Sequence, residues 1–369
     1  MNYSIVFYII GWILNFEAAF MVLPTVVALI YRESEVWCFL ATMAVCLMVG
    51  MLLVRRKPKN QIFYVAESFV AVSLSWVLLS VMGAVPFVLS GYIPNPIDAL
   101  FETVSGFTTT GASILSNVEQ LPKCLLFWRS FTHWIGGMGV LVFLLTLIPL
   151  AGGSHMNLMK AESPGPSVSR LVPHVKDTAK ILYKIYIFIT VTEIILLCAF
   201  GMPLFDSLTL SFGTVGTGGF GILNSSIADY SPALQIIITV FMILSGVNYV
   251  AYFYLTTRQI KEIFHVEEIR VYFGVILASS IFIAFNIRSL YPTLGECFRH
   301  AFFQVGSIIT TTGYATTDFD LWPETSKTIL VTLMIIGACA GSTGGGIKVS
   351  RILVLVKTVK KELDSFVHP

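Results

Sequence analysis

Thr108-Thr109-Thr110-Gly111-Ala112-Ser113 follows Asn95-Pro96-Ile97-Asp98-Ala99-Leu100-Phe101-Glu102-Thr103-Val104-Ser105-Gly106-Phe107, and the fold of this chain reads from that stretch. Its organisation recurs twice. Met202-Pro203-Leu204-Phe205-Asp206-Ser207-Leu208 runs on to Thr214-Val215-Gly216-Thr217-Gly218-Gly219-Phe220. Tyr291-Pro292-Thr293-Leu294 runs on to Ile308-Ile309-Thr310-Thr311-Thr312-Gly313-Tyr314. Each copy has a proline-containing turn, a half-length apolar segment, a threonine- and glycine-rich stretch and a polar return, set between two long apolar runs. Aligned on Gly111, Gly218 and Gly313, every copy has Thr before the glycine, and Gly106 and Gly213 match five residues upstream.

About a dozen residues before the glycine are too few to cross a bilayer but suit a re-entrant helix. A helix entering from outside turns its partly negative C-terminal end towards the membrane centre, which favours a cation there. Non-helical backbone at that depth is tolerated only where it lines protein or a water-filled path. Glycine admits dihedrals closed to other residues, so carbonyl oxygens can turn inward and replace an ion's hydration shell. One such stretch reads as an ordinary Ser/Thr-rich loop. Three on the same face read as a pore lining, with Thr109, Thr110, Gly111, Thr217, Gly218, Thr311, Thr312 and Gly313 as the candidate filter residues.

Composition sets the surroundings. Hydrophobic residues make up 56% of the 369 residues and charged ones 12%, with a mean hydropathy of +0.81; an ordinary globular chain carries roughly 25% charged. A soluble or disordered chain is excluded, and a net charge of +2 gives no basic field for nucleic acid. Eight segments are apolar enough to span: 3–31, 36–54, 65–91, 125–150, 181–201, 232–256, 269–287 and 326–357. The expected fold is therefore an all-α polytopic membrane protein. A two-helix N-terminal domain covers 1–60, and helix/pore-loop/helix repeats cover 61–160, 161–265 and 266–369.

Most of the 23 basic residues fall in the loops after even-numbered spans, which places those loops and both termini in the cytoplasm. The opposite face carries Glu33, Glu35, Asp98, Glu102, Glu119, Asp206, Asp229, Glu296, Asp318, Asp320 and Glu324, an outer vestibule that concentrates cations. The last span is interrupted by Gly341-Ser342-Thr343-Gly344-Gly345-Gly346, ahead of Lys348. Glycines cost roughly 1 kcal/mol each in a helix, so the span should open mid-membrane. The expectation is a gate below the filter, with Lys348 at its cytoplasmic edge; small residues for tight helix packing are the competing reading. The stretch lacks the order of a phosphate-binding loop.

Glu17, Glu67 and Glu193 lie in or near apolar spans, where ionisable groups are costly; helix pairing and a proton relay are both open, with pairing favoured. Arg129 and His133, one turn apart, are expected to anchor a pore loop. The six cysteines have no partner at metal-ligand spacing and read as small buried hydrophobes. No catalytic grouping is present, so an enzyme is not expected. The loop from Gly152 to Lys180 reads as a cytoplasmic linker.

The set Thr108 to Ala112, Trp134-Ile135-Gly136-Gly137-Met138-Gly139, Gly216 to Phe220, Thr310 to Tyr314 and Ala338 to Lys348 resembles the Trk/Ktr/HKT superfamily of potassium transporters, closest to the bacterial TrkH type. The resemblance covers essentially the whole chain. It implies K⁺ uptake across a bacterial inner membrane through four pseudo-symmetric units, in a homodimer gated by a cytoplasmic nucleotide-binding subunit of the TrkA kind. Nucleotide is then expected only on that subunit, with K⁺ as the transported ion and no cofactor bound to this chain. Gly111, Gly218 and Gly313 would be the filter glycines, favouring K⁺ where serine in the first unit favours Na⁺. The Gly341 to Gly346 stretch would be the intramembrane gate. That family has a fourth unit, whereas eight spans hold only three, so three of four units are expected here. The alternative is a non-conducting scaffold that only binds the regulatory subunit.

Overall fold

The computed structural model describes residues 3–55, 57–58, 65–139, 175–259, 261 and 266–367. The linker expected over 152–180 and the end of the span expected over 125–150 lie largely outside them.

Two long helices lead the chain, α1 (Tyr3–Tyr31) and α2 (Val36–Val54). They cross closely at Gly11 and Gly50, where a Cβ on either residue would stand within 3 Å of the other's carbonyl oxygen. Lipid offers no hydrophobic reward for helix pairing, so close approach of small residues supplies the dispersion contact instead. Three units follow. The first is α3 (Val65–Leu89), pore helix α4 (Pro96–Phe107) and α5 (Lys123–Met138). The second is α6 (Val175–Ala199), pore helix α7 (Leu204–Val215), and a pair, α8 (Pro232–Ser245) and α9 (Tyr249–Thr256). The third is α10 (Glu267–Asn286), pore helix α11 (Leu294–Ile309), α12 (Glu324–Ile335) and α13 (Val349–Val367), with one 3-10 turn at Phe319–Leu321.

The pore helices begin where local chemistry ends the preceding turn. Asn95 accepts a hydrogen bond from the Ile97 N–H and Thr293 from the Glu296 N–H, while Pro96 occupies the first helical position of α4. The start of α5 is capped from a distance. Glu33, beyond the end of α1, accepts from the N–H groups of Lys123 (2.6 Å) and Cys124 (2.9 Å).

Among the described residues, five helices, α1, α2, α3, α6 and α10, are long and apolar enough to cross a membrane. Two of the expected spans are not continuous. The span expected over 232–256 bends by 93° between α8 and α9. There Gly246 lies so close to the Tyr272 hydroxyl that no Cβ fits, and Asn248 caps α9 by accepting from the Val250 N–H. The span expected over 326–357 is two helices joined by residues 336–348. Each unit's second helix thus stops beside the pore helices, with α5 ending at Gly139 in a left-handed conformation (φ 74°).

The largest core cluster joins α1, α2 and the first unit around Trp128, Phe107 and Phe39. Trp128 lies fully buried with its indole N–H donated to the Gly83 carbonyl (3.0 Å), so its one polar atom is satisfied inside the membrane.

Candidate ion pathway and gate

All three pore helices end the same way, and the ending fixes the register between units. A threonine takes a left-handed conformation directly after each helix: Thr109 (φ 53°), Thr217 (φ 53°) and Thr311 (φ 58°). The next N–H, of Thr110, Gly218 or Thr312, donates to a carbonyl five residues back, that of Ser105 (2.9 Å), Gly213 (2.8 Å) or Ser307 (2.9 Å). This is the Schellman closure of a helix C-terminus. A left-handed glycine follows: Gly111 (φ 74°), Gly219 (φ 81°) and Gly313 (φ 88°). The sequence alignment on Gly218 is therefore corrected by one residue. Gly219 is the counterpart of Gly111 and Gly313, while Gly218 is the counterpart of Thr110 and Thr312. Likewise Gly213 matches Ser105 and Ser307 rather than Gly106.

Left-handed backbone is disfavoured for any residue with a Cβ, and a β-branched one is a genuine outlier. Strain of this kind, about 1–3 kcal/mol per residue, persists where the surroundings over-determine it and clusters at functional sites. Three copies at one structural position mark these loops as a built site.

The loops converge edge to edge. A Cβ on Gly111 would collide with the carbonyl oxygen of Gly218 and reach within 3.8 Å of that of Thr312; one on Gly219 would collide with the Thr312 carbonyl oxygen. Gly313 has nothing within 4 Å of its Cβ position among the described residues. The candidate residues of all three loops are thereby brought together at one place, with backbone carbonyl oxygens at its seams. Such oxygens suit a weakly hydrated monovalent cation.

The seams between loops are held by polar side chains. Arg129 of α5, buried, pairs with Glu102 of α4 (2.5 Å), donates to the Gly221 carbonyl of the second loop (2.8 Å) and lies 3.6 Å over the Phe220 ring. His133 stacks on Phe220 from the same helix, with ring centroids 4.1 Å apart. Glu102 is thus a correction to the sequence reading: it is no solvated vestibule acid but a buried ion-pair partner that also accepts from Ser113 and the Ile114 N–H. Gln235 of α8 plays the corresponding part at the second seam. Its amide donates to the carbonyls of Ile227 and Tyr230, and its oxygen accepts from Arg299 of α11. Nothing in the sequence singled out Gln235, and Phe220 stood out only as the end of the Gly216 to Phe220 stretch.

The glycine-rich loop expected as a gate sits directly on these helix ends. Gly345 donates its N–H to the Thr311 hydroxyl (2.6 Å). The Thr343 hydroxyl lies 3.1 Å from the Val215 carbonyl and 3.2 Å from the Ser245 carbonyl. A Cβ on Gly344 would stand 3.0 Å from the Thr310 carbonyl oxygen. Gly341 accepts from the Tyr249 N–H, and Ser342 bonds back to the Cys339 carbonyl. Lys348 is not at an aqueous edge. It is buried, with its ammonium folded back onto the carbonyls of Gly344 and Gly345, because a cation in that position needs oxygens and the loop supplies them.

Glu17 does not pair helices as expected: among the described residues neither of its oxygens has a hydrogen-bond partner, and one lies 3.4 Å from the Cβ position of Gly83 on α3. Glu193, fully buried on α6, sits beside Thr214 and Tyr314 behind the second loop. Glu33, Glu35 and Cys124 form the one group of His, Cys and acidic side chains close enough to hold a metal ion among the described residues, but both Glu33 oxygens are already spent capping α5.

A family model described as TrkH, cation transport protein, matches residues 36–369. The chain belongs to the TrkH family of cation transport proteins. It is thus a transport protein of this family and not an enzyme. It is 37% identical over 378 residues to the Trk system potassium uptake protein TrkH of Salmonella typhimurium, covering 100% of this chain and 78% of that protein. It is 33% identical over 373 residues to the Trk system potassium uptake protein TrkG of Escherichia coli K12, covering 99% of this chain and 76% of that one. The crystal structure of the potassium transporter TrkH from Vibrio parahaemolyticus superposes with a TM-score of 0.87 at 32% identity, over 100% of this chain and 77% of that one.

Proposed function

We propose that this TrkH-family chain carries K⁺ uptake across a bacterial inner membrane, through a filter of pore-loop carbonyls. The observation that carries the reading is the convergence of Gly111, Gly218 and Thr312, in loops that each hold a left-handed Thr and Gly at the same position. Five of the eight candidate filter residues belong to those left-handed pairs, Gly218 and Thr312 present carbonyls at the seams, and Gly219 joins them. The glycine-rich loop, anchored to Thr311 and Val215, blocks the path below. A cytoplasmic nucleotide-binding subunit of the TrkA kind releases it, acting on a homodimer whose termini lie in the cytoplasm. Support for the cytoplasmic termini is the charge asymmetry of the loops, and support for a partner is that the relatives are named as proteins of a Trk system.

The test is rubidium tracer uptake in bacteria lacking their own K⁺ systems, expressing this chain with a TrkA-type subunit. Uptake competed by K⁺ and abolished by Gly111→Val supports the filter. Uptake that survives both Gly111→Val and Gly313→Val overturns it. A second reading, a non-conducting scaffold that binds the regulatory subunit, draws on the open side of Gly313. It requires subunit binding without any uptake.

A further inference from the structure

The glycine-rich loop leaves α12 and enters α13 through a narrow neck. Ile336 and Ile347 form a parallel bridge, the Gly337 N–H donates to the Ile347 carbonyl (2.8 Å) and the Val349 N–H to the Ala338 carbonyl (3.3 Å). One side chain from outside the loop reaches both strands of this neck. Glu268, buried in the first turn of α10, accepts with the same carboxylate oxygen, Oε1, from the N–H of Ala340 (2.7 Å) and the N–H of Ser350 (3.1 Å). Those two residues stand at the exit and the re-entry of the loop, ten positions apart in sequence.

The physics of that contact is one-sided. Both donors belong to backbone outside regular helix pairing, Ala340 in the loop and Ser350 in the first turn of α13, where N–H groups have no intrahelical acceptor. Removing the carboxylate strands two half-buried donors at once, and each then bears part of the desolvation cost of an unpaired polar group. Hydrogen bonds to a charged acceptor are also roughly twice as strong as neutral ones. The loop itself, with glycines at 341, 344, 345 and 346, has little intrinsic stiffness to hold its shape. Its contacts with the pore helices, through Gly345 and Thr343, are single hydrogen bonds to neutral groups. Of the loop's ties to other helices, the charged one is therefore at its neck, on α10, and not at its tip under the filter, where Lys348 bonds within the loop.

We propose that Glu268 is the positioning residue of the gate: by clamping Ala340 and Ser350 together it holds the glycine-rich loop in the blocking position beneath the filter. The inference rests on the reading of that loop as a gate. Release of the loop then requires the Ala340 and Ser350 N–H groups to leave Glu268, so substitutions there act on opening and not on ion choice.

Cys339, fully buried beside Ala340, is a native reporter of neck opening. The experiment uses the full chain co-expressed with a TrkA-type subunit, with the other five cysteines replaced by serine or alanine. The rate at which a water-soluble methanethiosulfonate modifies Cys339 is measured together with rubidium uptake. Glu268→Leu is expected to raise the modification rate at least tenfold and to make uptake independent of the subunit, with discrimination between rubidium and sodium unchanged. Glu268→Gln, whose amide oxygen still accepts both N–H groups, is expected to stay within about threefold of the parent on both measures. A Glu268→Leu protein that reaches the membrane and leaves Cys339 as protected as before overturns the clamp. So does a Glu268→Gln variant as open as Glu268→Leu. If Cys339 is exposed by Glu268→Leu but uptake is unaltered, the clamp stands and the reading of the loop as a gate fails.

Discussion

Two edges of the same ring of loops behave differently. Between the first and second loops, and between the second and third, glycine presses on a neighbouring carbonyl: Gly111 on Gly218, Gly219 on Thr312. At the third loop's far edge Gly313 meets nothing among the described residues, although its backbone is as left-handed as theirs. Glycine thus has two separate reasons to occupy this position. One is the dihedral, shared by all three residues. The other is the absence of a side chain where backbones meet, which applies only at a closed seam.

The largest expected effect comes from opening a closed seam at its polar pin. Arg129→Leu leaves the Glu102 carboxylate buried without its partner and frees the Gly221 carbonyl, so a loss of about 3–5 kcal/mol is expected. Thermal aggregation of detergent-purified protein, followed by size exclusion, should show a steep fall in midpoint. Unchanged thermal behaviour would mean that the seam carries little of the fold's stability. Comparing Gly219→Ala with Gly313→Ala sharpens the contrast directly. The second pays only for the left-handed conformation, about 1–2 kcal/mol, whereas the first also drives a Cβ into backbone and should cost clearly more. Equal midpoints for the two would break the distinction.

A smaller effect, of opposite sign, is expected at the strained threonines. Thr109→Gly removes the penalty of a β-branched residue at positive φ and should stabilise the protein by about 1 kcal/mol, while potassium-over-sodium discrimination in uptake falls because the loop loosens. Stabilisation with discrimination intact would show that the strain has no part in ion choice. Smallest is Lys327→Ala, which deletes an ion pair to the exposed Glu324 far from any seam. A change within about 0.5 kcal/mol is expected there, and it serves as the baseline for the others.

The helical membrane class, the long helices α1 and α2, and the three short pore helices were all legible from hydropathy and from the recurrence of proline turn, half-length segment and Thr/Gly stretch. The limits of α2 at Val36 and Val54 coincide with the expected span, because apolar length and flanking charge alone set them. The break between Ser245 and Tyr249 was not legible, since Gly246-Val247-Asn248 is apolar enough to pass as helix. It takes the Tyr272 hydroxyl, from a helix further along the chain, to make Gly246 necessary. Glu102 looked like a loop acid because its partner, Arg129, is 27 residues away.

The sequence by itself determined what each segment could be: which stretches bury in lipid, which are too short to cross it, and where glycine frees the backbone. Those are local properties, set by transfer free energy and by the dihedrals each residue permits. The tertiary structure alone decided the register of the second loop. Thr217-Gly218-Gly219 offers two adjacent glycines, and either could stand opposite Gly111 on composition. The choice falls on Gly219 because the Gly218 N–H closes the helix end onto Gly213, and because only Gly219 then meets the carbonyl of Thr312 without a side chain in the way. A contact between backbones almost a hundred residues apart has no signature in either stretch alone.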